Sequence, residues 1–97
     1  MYARLTSVSI GGGLRPAAEK LANQYGAYLK NLKGFQKVLF LVAEPDGEYA
    51  VMTFWETRED SDAAAELARP YLEGVLKGIL KKPIDTRLYE VYLPKDE

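Results

Sequence analysis

The sequence predicts an α+β domain of order βαββαβ. Its apolar periodicity alternates between about two and about 3.6 residues. The changes fall at Gly11, Gly34, Thr57 and Pro83, residues of the kinds that end strands, cap helices or close them. The 97 residues suffice for one domain with one core, and 47% hydrophobic against 28% charged side chains is the composition of a folded chain.

Residues 1–10 alternate as a strand, with Tyr2, Arg4, Thr6, Val8 and Ile10 on one face and Ala3, Leu5, Ser7 and Ser9 on the other. Gly11-Gly12-Gly13 ends it. The triplet lacks the spacing and the Lys-Ser/Thr ending of a phosphate loop and reads as a flexible turn. From Arg15 to Leu32, Ala18, Leu21, Ala22, Tyr25, Leu29 and Leu32 recur at helical spacing, Pro16 occupies the tolerant first turn, and Asn31 to Gly34 closes the helix. Phe35 to Glu44 reads as a strand, Glu44-Pro-Asp-Gly47 as a turn and Glu48 to Glu56 as the antiparallel partner. Thr57 is placed to cap a second helix, with Asp60 as its reciprocal partner. Pro70 is expected to interrupt or restart that helix, whose apolar face continues to Leu80 before Lys81-Lys82-Pro83 stops it. Ile84 to Leu93 completes the set as a fourth strand.

This order is that of a ferredoxin-like sandwich, an antiparallel four-stranded sheet with both helices on one face. Its strands, however, carry bulky groups on both faces. By parity Val38, Phe40 and Val42 oppose Phe35, Leu39 and Leu41, while Met52 and Phe54 oppose Val51 and Trp55. A second subunit would bury the face the helices leave open, at roughly 25 cal/mol per Å² of apolar surface. A homodimer is therefore expected, with Tyr2, Phe40, Tyr89 or Tyr92 in the contact.

The chain has no Cys and no His, which removes disulfides, thiolate and imidazole catalysis, and the usual haem and zinc ligands. No metal site and no cofactor are expected. The net charge of −1 conceals an acidic stretch in which Glu44, Asp46, Glu48, Glu56, Glu59, Asp60, Asp62 and Glu66 accompany Arg58 alone. Lys77, Lys81 and Lys82 are assigned to the end of the last helix, complementing its dipole. That basic density is too low for a nucleic-acid surface. With no secretion signal and no apolar run of membrane length, the expected location is cytoplasmic and no membrane partner is expected.

Among individual residues, Arg4 shares its face with partly apolar neighbours, so an inward guanidinium needs an acid or an anionic ligand. A cross-strand pair with Glu90 or Glu56 would supply the former. Trp55, the one tryptophan, serves either as packing or as a stacking surface for a substrate. Tyr25 and Tyr28, three apart on the first helix, can donate phenolic hydrogen bonds or sit at its boundary. Asp60 and Asp62 are explained by capping and the helix dipole rather than by a metal.

The segment Val51-Met-Thr-Phe-Trp-Glu-Thr57 in a βαββαβ frame, with the Gly34-Phe35 entry to the second strand and the Pro70-Tyr71 break, resembles the antibiotic biosynthesis monooxygenase-like family of the dimeric α/β-barrel superfamily. The resemblance covers nearly the whole chain. It implies a dimeric α/β barrel of two facing four-stranded sheets, and a small hydrophobic or aromatic ligand held between sheet and helices. Members include cofactor-independent monooxygenases of aromatic polyketides and haem-degrading enzymes. The Asn, Trp and His of the haem-degrading branch correspond to places near Thr6, Ala64 and Gly74, all substituted here, leaving Tyr71 as the remaining axial candidate. The implied activity is cofactor-independent oxygenation of a small aromatic or quinone-like substrate, the alternative being a non-catalytic ligand-binding or structural dimer. The candidate catalytic residues are Arg4, Thr6 and Tyr25, and the candidate substrate-binding residues are Trp55, Phe54 and Tyr71.

Overall fold

In the computed structural model, which describes residues 1–43 and 47–96, the elements are β1 (Tyr2–Ser9), α1 (Arg15–Leu29), β2 (Phe35–Val42), β3 (Glu48–Trp55), α2 (Arg58–Val75) and β4 (Asp85–Glu90). The strands form one antiparallel sheet in the order β2-β3-β1-β4. The ferredoxin-like βαββαβ arrangement is thus present, but the expected α/β barrel is not. Closure needs the two edge strands to pair, and β2 and β4 lie at opposite edges with β3 and β1 between them. The sheet is open.

Both helices pack on the face that carries Val8, Trp55 and Val51, and the core of Val8, Ile10, Tyr25, Leu29, Trp55 and Leu72 lies between the two layers. Opposed residues in an antiparallel pair point to one side, so the register sorts the aromatics. Tyr2 is opposite Trp55 and Phe40 opposite Val51, which places both on the helix-covered face. Tyr89 is opposite Ala3, on the open face with Leu39 and Met52. Of the four aromatics assigned to a subunit contact, Tyr2 and Phe40 are therefore corrected to the interior side. Phe35 is corrected as well. An irregularity in the β2–β3 register inserts Gln36 between Phe35 and Lys37, so Phe35 pairs with Trp55 and packs edge-on against it at 5.7 Å. The extra residue breaks the parity that would have sent Phe35 outward.

Thr57 caps α2 as expected, its Oγ1 accepting from the Asp60 N–H at 3.0 Å. The Asp60 carboxylate lies over Gly34, whose φ is +79° and where a Cβ would collide with that carboxylate. Pro70 does not interrupt the helix, contrary to expectation: α2 runs through it to Val75. The carbonyl that loses its donor belongs to Glu66, on the exposed side where water can replace it. Because α2 stops at Val75, no basic residue lies in its last turn, and the dipole role assigned to Lys77, Lys81 and Lys82 is corrected. Lys82 pairs with Glu48 at 3.7 Å, and the Lys81 N–H donates to the Ser9 carbonyl at 2.8 Å. β4 is shorter than expected and ends at Glu90.

Most of the turn assigned to 44–47 lies outside the described residues. Its last residue, Gly47, has φ +119° and approaches the glycine turn so closely that a Cβ would sit 2.9 Å from the Gly11 carbonyl carbon. The Ile10 N–H donates to the Gly47 carbonyl at 3.0 Å, fastening the hairpin end to the start of the β1–α1 connection. No helix among the described residues is long and apolar enough to cross a membrane.

Candidate functional site

Side chains of β1 and β3 that point toward α2 meet a helix face made of Ser61, Ala64, Ala65 and Ala68. Their spacing follows one side of a helix, and their small size leaves space where larger residues would pack. The result is a cavity of about 180 Å³ between the sheet and α2, lined also by Arg4, Thr6, Tyr25, Leu29, Thr53, Trp55 and Thr86. Exposed Glu66, Arg69 and Thr86 stand at its rim.

Arg4 is the one charged side chain on the sheet floor of this cavity. It is not paired with Glu90 or Glu56 as the strand pattern suggested. Its Nε donates to Ser61 Oγ at 3.0 Å, its Nη2 to Asp62 Oδ1 at 2.6 Å, and its Nη1 to Thr86 Oγ1 at 3.4 Å. The guanidinium therefore ties β1 to the start of α2 and to β4. Three of its five N–H groups are used in these bonds. With the Arg4 side chain 15% exposed and Asp62 54% exposed, the pair remains partly hydrated, and its geometric role outweighs its modest contribution to stability.

Trp55 is 2% exposed, and its indole N–H donates to Thr53 Oγ1 at 2.8 Å. Satisfying that donor inside the sheet leaves the ring as an apolar wall of the cavity. Tyr25 enters from α1. Burial, followed by the neighbouring Tyr28 and Tyr71 phenols, pushes its pKa from 10.0 up to about 12, so it is a neutral donor throughout the ordinary pH range. Its ring stacks on Tyr71 at 5.8 Å and on Tyr28 at 6.3 Å, and those two stack on each other at 5.4 Å.

The structure thus brings together Arg4, Thr6, Tyr25 and Trp55. It does not bring Phe54 or Tyr71 to the cavity. Phe54 lies on the opposite sheet face, with Lys37 Nζ 5.9 Å from its ring centre, because it is adjacent in sequence to the inward Trp55. Tyr71 lies behind Tyr25. Of the three places where the resemblance puts haem-degrading residues, Thr6 and Ala64 line the cavity, and Gly74 is exposed near the end of α2. Ser61 and Asp62 were missed as partners of Arg4. A stripe of Ser61, Ala64, Ala65 and Ala68 along one helix side was the signal available for both the cavity and the Ser61 contact.

No family model and no curated protein matches the chain. Solved structures do. An antibiotic biosynthesis monooxygenase candidate from Nitrosomonas europaea superposes with a TM-score of 0.78 at 18% identity, over 96% of this chain and 100% of that one. A mutant of the cofactor-independent oxygenase SnoaB from Streptomyces nogalater gives 0.72 at 18% identity, over 99% and 97%. A mutant of MhuD with two manganese protoporphyrin IX molecules bound per active site gives 0.75 at 19% identity, over 100% of both chains. What is shared at these identities is the fold.

Proposed function

We propose that this protein binds a small phenolic or quinone-like aromatic between the sheet and α2 and promotes its oxygenation by O2 without a cofactor. The observation that carries the proposal is the convergence of Arg4, Thr6, Tyr25 and Trp55 on one cavity of about 180 Å³. An apolar cavity of about 150 Å³ accepts benzene, whereas drug-sized ligands occupy roughly 300 Å³ or more. One aromatic ring matches the space.

Trp55 would stack on that ring and exclude water from one side. The Arg4 guanidinium and the neutral Tyr25 phenol would stabilise the substrate oxyanion, and so raise the electron density of the ring carbon that O2 attacks. In its keto tautomer a phenolic ring carries a CH2 at the carbon O2 attacks, and oxidising that CH2 to C=O puts one oxygen atom of O2 into the product and the other into water, so no external reductant is required. That SnoaB, a cofactor-independent oxygenase, shares the fold supports this reading.

One observation favours a second reading, in which the ligand is carried without reaction: the Arg4 guanidinium already has Ser61, Asp62 and Thr86 as partners. Oxygen uptake with a one-ring hydroquinone separates the two. Oxygenation predicts enzyme-dependent uptake that falls at least tenfold in Arg4→Ala and persists in the tail variant Lys95→Ala. Binding of the hydroquinone with no uptake above its autoxidation would establish the carrier instead.

We further infer that a second copy of the chain covers the open sheet face. Leu39, Leu41 and Tyr89 are 39%, 44% and 43% exposed there, beside the partly exposed Leu5, Met52 and Phe54.

A further inference from the structure

A second cavity, of about 100 Å³, lies between α1 and the sheet, and its lining includes Val8, Ala22, Phe40 and Val51. It is the neighbour of the first along the same strands. Thr6 and Thr53 line the first cavity and Val8 and Val51 the second, a displacement of one same-face step, roughly 7 Å, on β1 and on β3. Tyr25 and Leu72 are the two residues that line both. They form the boundary between them.

We propose that the Tyr25 ring is a partition that sets the size of the ligand, restricting the site to one-ring aromatics, and that the second cavity is an apolar extension that would receive further fused rings if the partition were removed. This rests on the proposed aromatic occupancy of the first cavity. The partition is held from behind. Tyr25 stacks on Tyr28 and Tyr71 with interplanar angles of 17° and 12°, and neither of those rings lines either cavity. Swinging Tyr25 aside would break two ring contacts, so a ligand cannot displace it without losing affinity. The chemistry of the two compartments differs. The first has Arg4, three threonines and Ser61 to address a polar oxygen; apart from Glu19 at its edge, the second is lined by apolar and tyrosine side chains. Together with the space of the Tyr25 ring itself, the two volumes reach the roughly 300 Å³ at which larger ligands are accommodated.

The test uses the intrinsic fluorescence of Trp55, the sole tryptophan, with hydroquinone as the one-ring probe and anthrone as the three-ring probe. The wild-type protein should give saturable quenching with hydroquinone and at least tenfold weaker affinity for anthrone. Tyr25→Ala should raise anthrone affinity at least tenfold, and Tyr25→Phe, which keeps the ring, should keep the size limit. Tyr25→Leu provides a second, less drastic opening if Tyr25→Ala fails to fold, with circular dichroism reporting the folded state. The partition is refuted if the wild type binds both probes equally, or if a folded Tyr25→Ala or Tyr25→Leu protein gains nothing for anthrone while still binding hydroquinone. If the wild type responds saturably to neither probe, the aromatic-site reading on which the partition depends is what fails.

Discussion

The Tyr25 phenol shows how one buried residue links stability to pH. Its pKa is raised from 10.0 to about 12 chiefly by burial. At pH below 10 both folded and unfolded chains keep the proton and the stabilising difference is fully present. As pH rises toward 12 the unfolded chain releases its proton first and the difference is lost. Urea unfolding at pH 8 and at pH 11.5 should therefore show a loss on the order of 2 kcal/mol in the wild type beyond that in Tyr25→Phe, which has no proton to lose. Equal losses in the two proteins would show that Tyr25 is not the group responsible. Alternation did not show that the face of Arg4 points inward, since Tyr2 shares it and was expected in a subunit contact, but the grouping of Arg4 with Tyr2, Thr6 and Val8 was legible. The partner of Arg4 was not, because Asp62 is 58 residues away and joins it only once α2 is laid across β1.

At the scale of elements, boundaries were legible at Thr57 and Gly34, each of which has a conformational reason to be there, whereas α2 stops at Val75, well short of the Pro83 expected to end it. Thr57 caps α2, so Thr57→Ala should lower stability by about 1 kcal/mol. Gly34, with φ +79° and the Asp60 carboxylate against it, ends the α1–β2 connection. Gly34→Ala should cost roughly 1 to 3 kcal/mol, read as a fall in the midpoint of thermal unfolding; an unchanged midpoint would show that the turn relaxes freely. Two features escaped the sequence for physical reasons. Pro70 costs a helix one donor and adds a clash, but tertiary packing of Ala68 and Leu72 on either side of it holds α2 together, both being buried. The extra residue at Gln36 leaves no mark in composition, yet it reverses the face on which Phe35 lies.

For the whole molecule, element order and layering followed from periodicity, whereas the extent of closure did not. Pairing between β2 and β4 depends on their positions in the sheet, and the order β2-β3-β1-β4 keeps them apart. The open face this leaves underlies the proposed association of two copies. Sedimentation equilibrium at micromolar concentration should give twice the 10.9 kDa chain mass, and Leu39→Glu, which places a charge on the open face, should return it toward 10.9 kDa. A wild-type protein found only at the chain mass would leave the face uncovered.

The cavity beneath α2 is the feature from which the functional account follows, and the helix makes it by presenting small residues where larger ones would fill the space. Ala64 is 5% exposed and lines it. Trp55 is both a wall of the cavity and the chain's sole tryptophan, so it reports occupancy directly. The decisive measurement is a hydroquinone titration of Trp55 fluorescence in the wild type and in Ala64→Leu, whose longer side chain occupies the same space. Occupancy of the cavity predicts saturable quenching at one ligand per chain in the wild type and at least tenfold weaker binding in a folded Ala64→Leu protein. Quenching that rises linearly without saturation, or that is the same in both proteins, would contradict it.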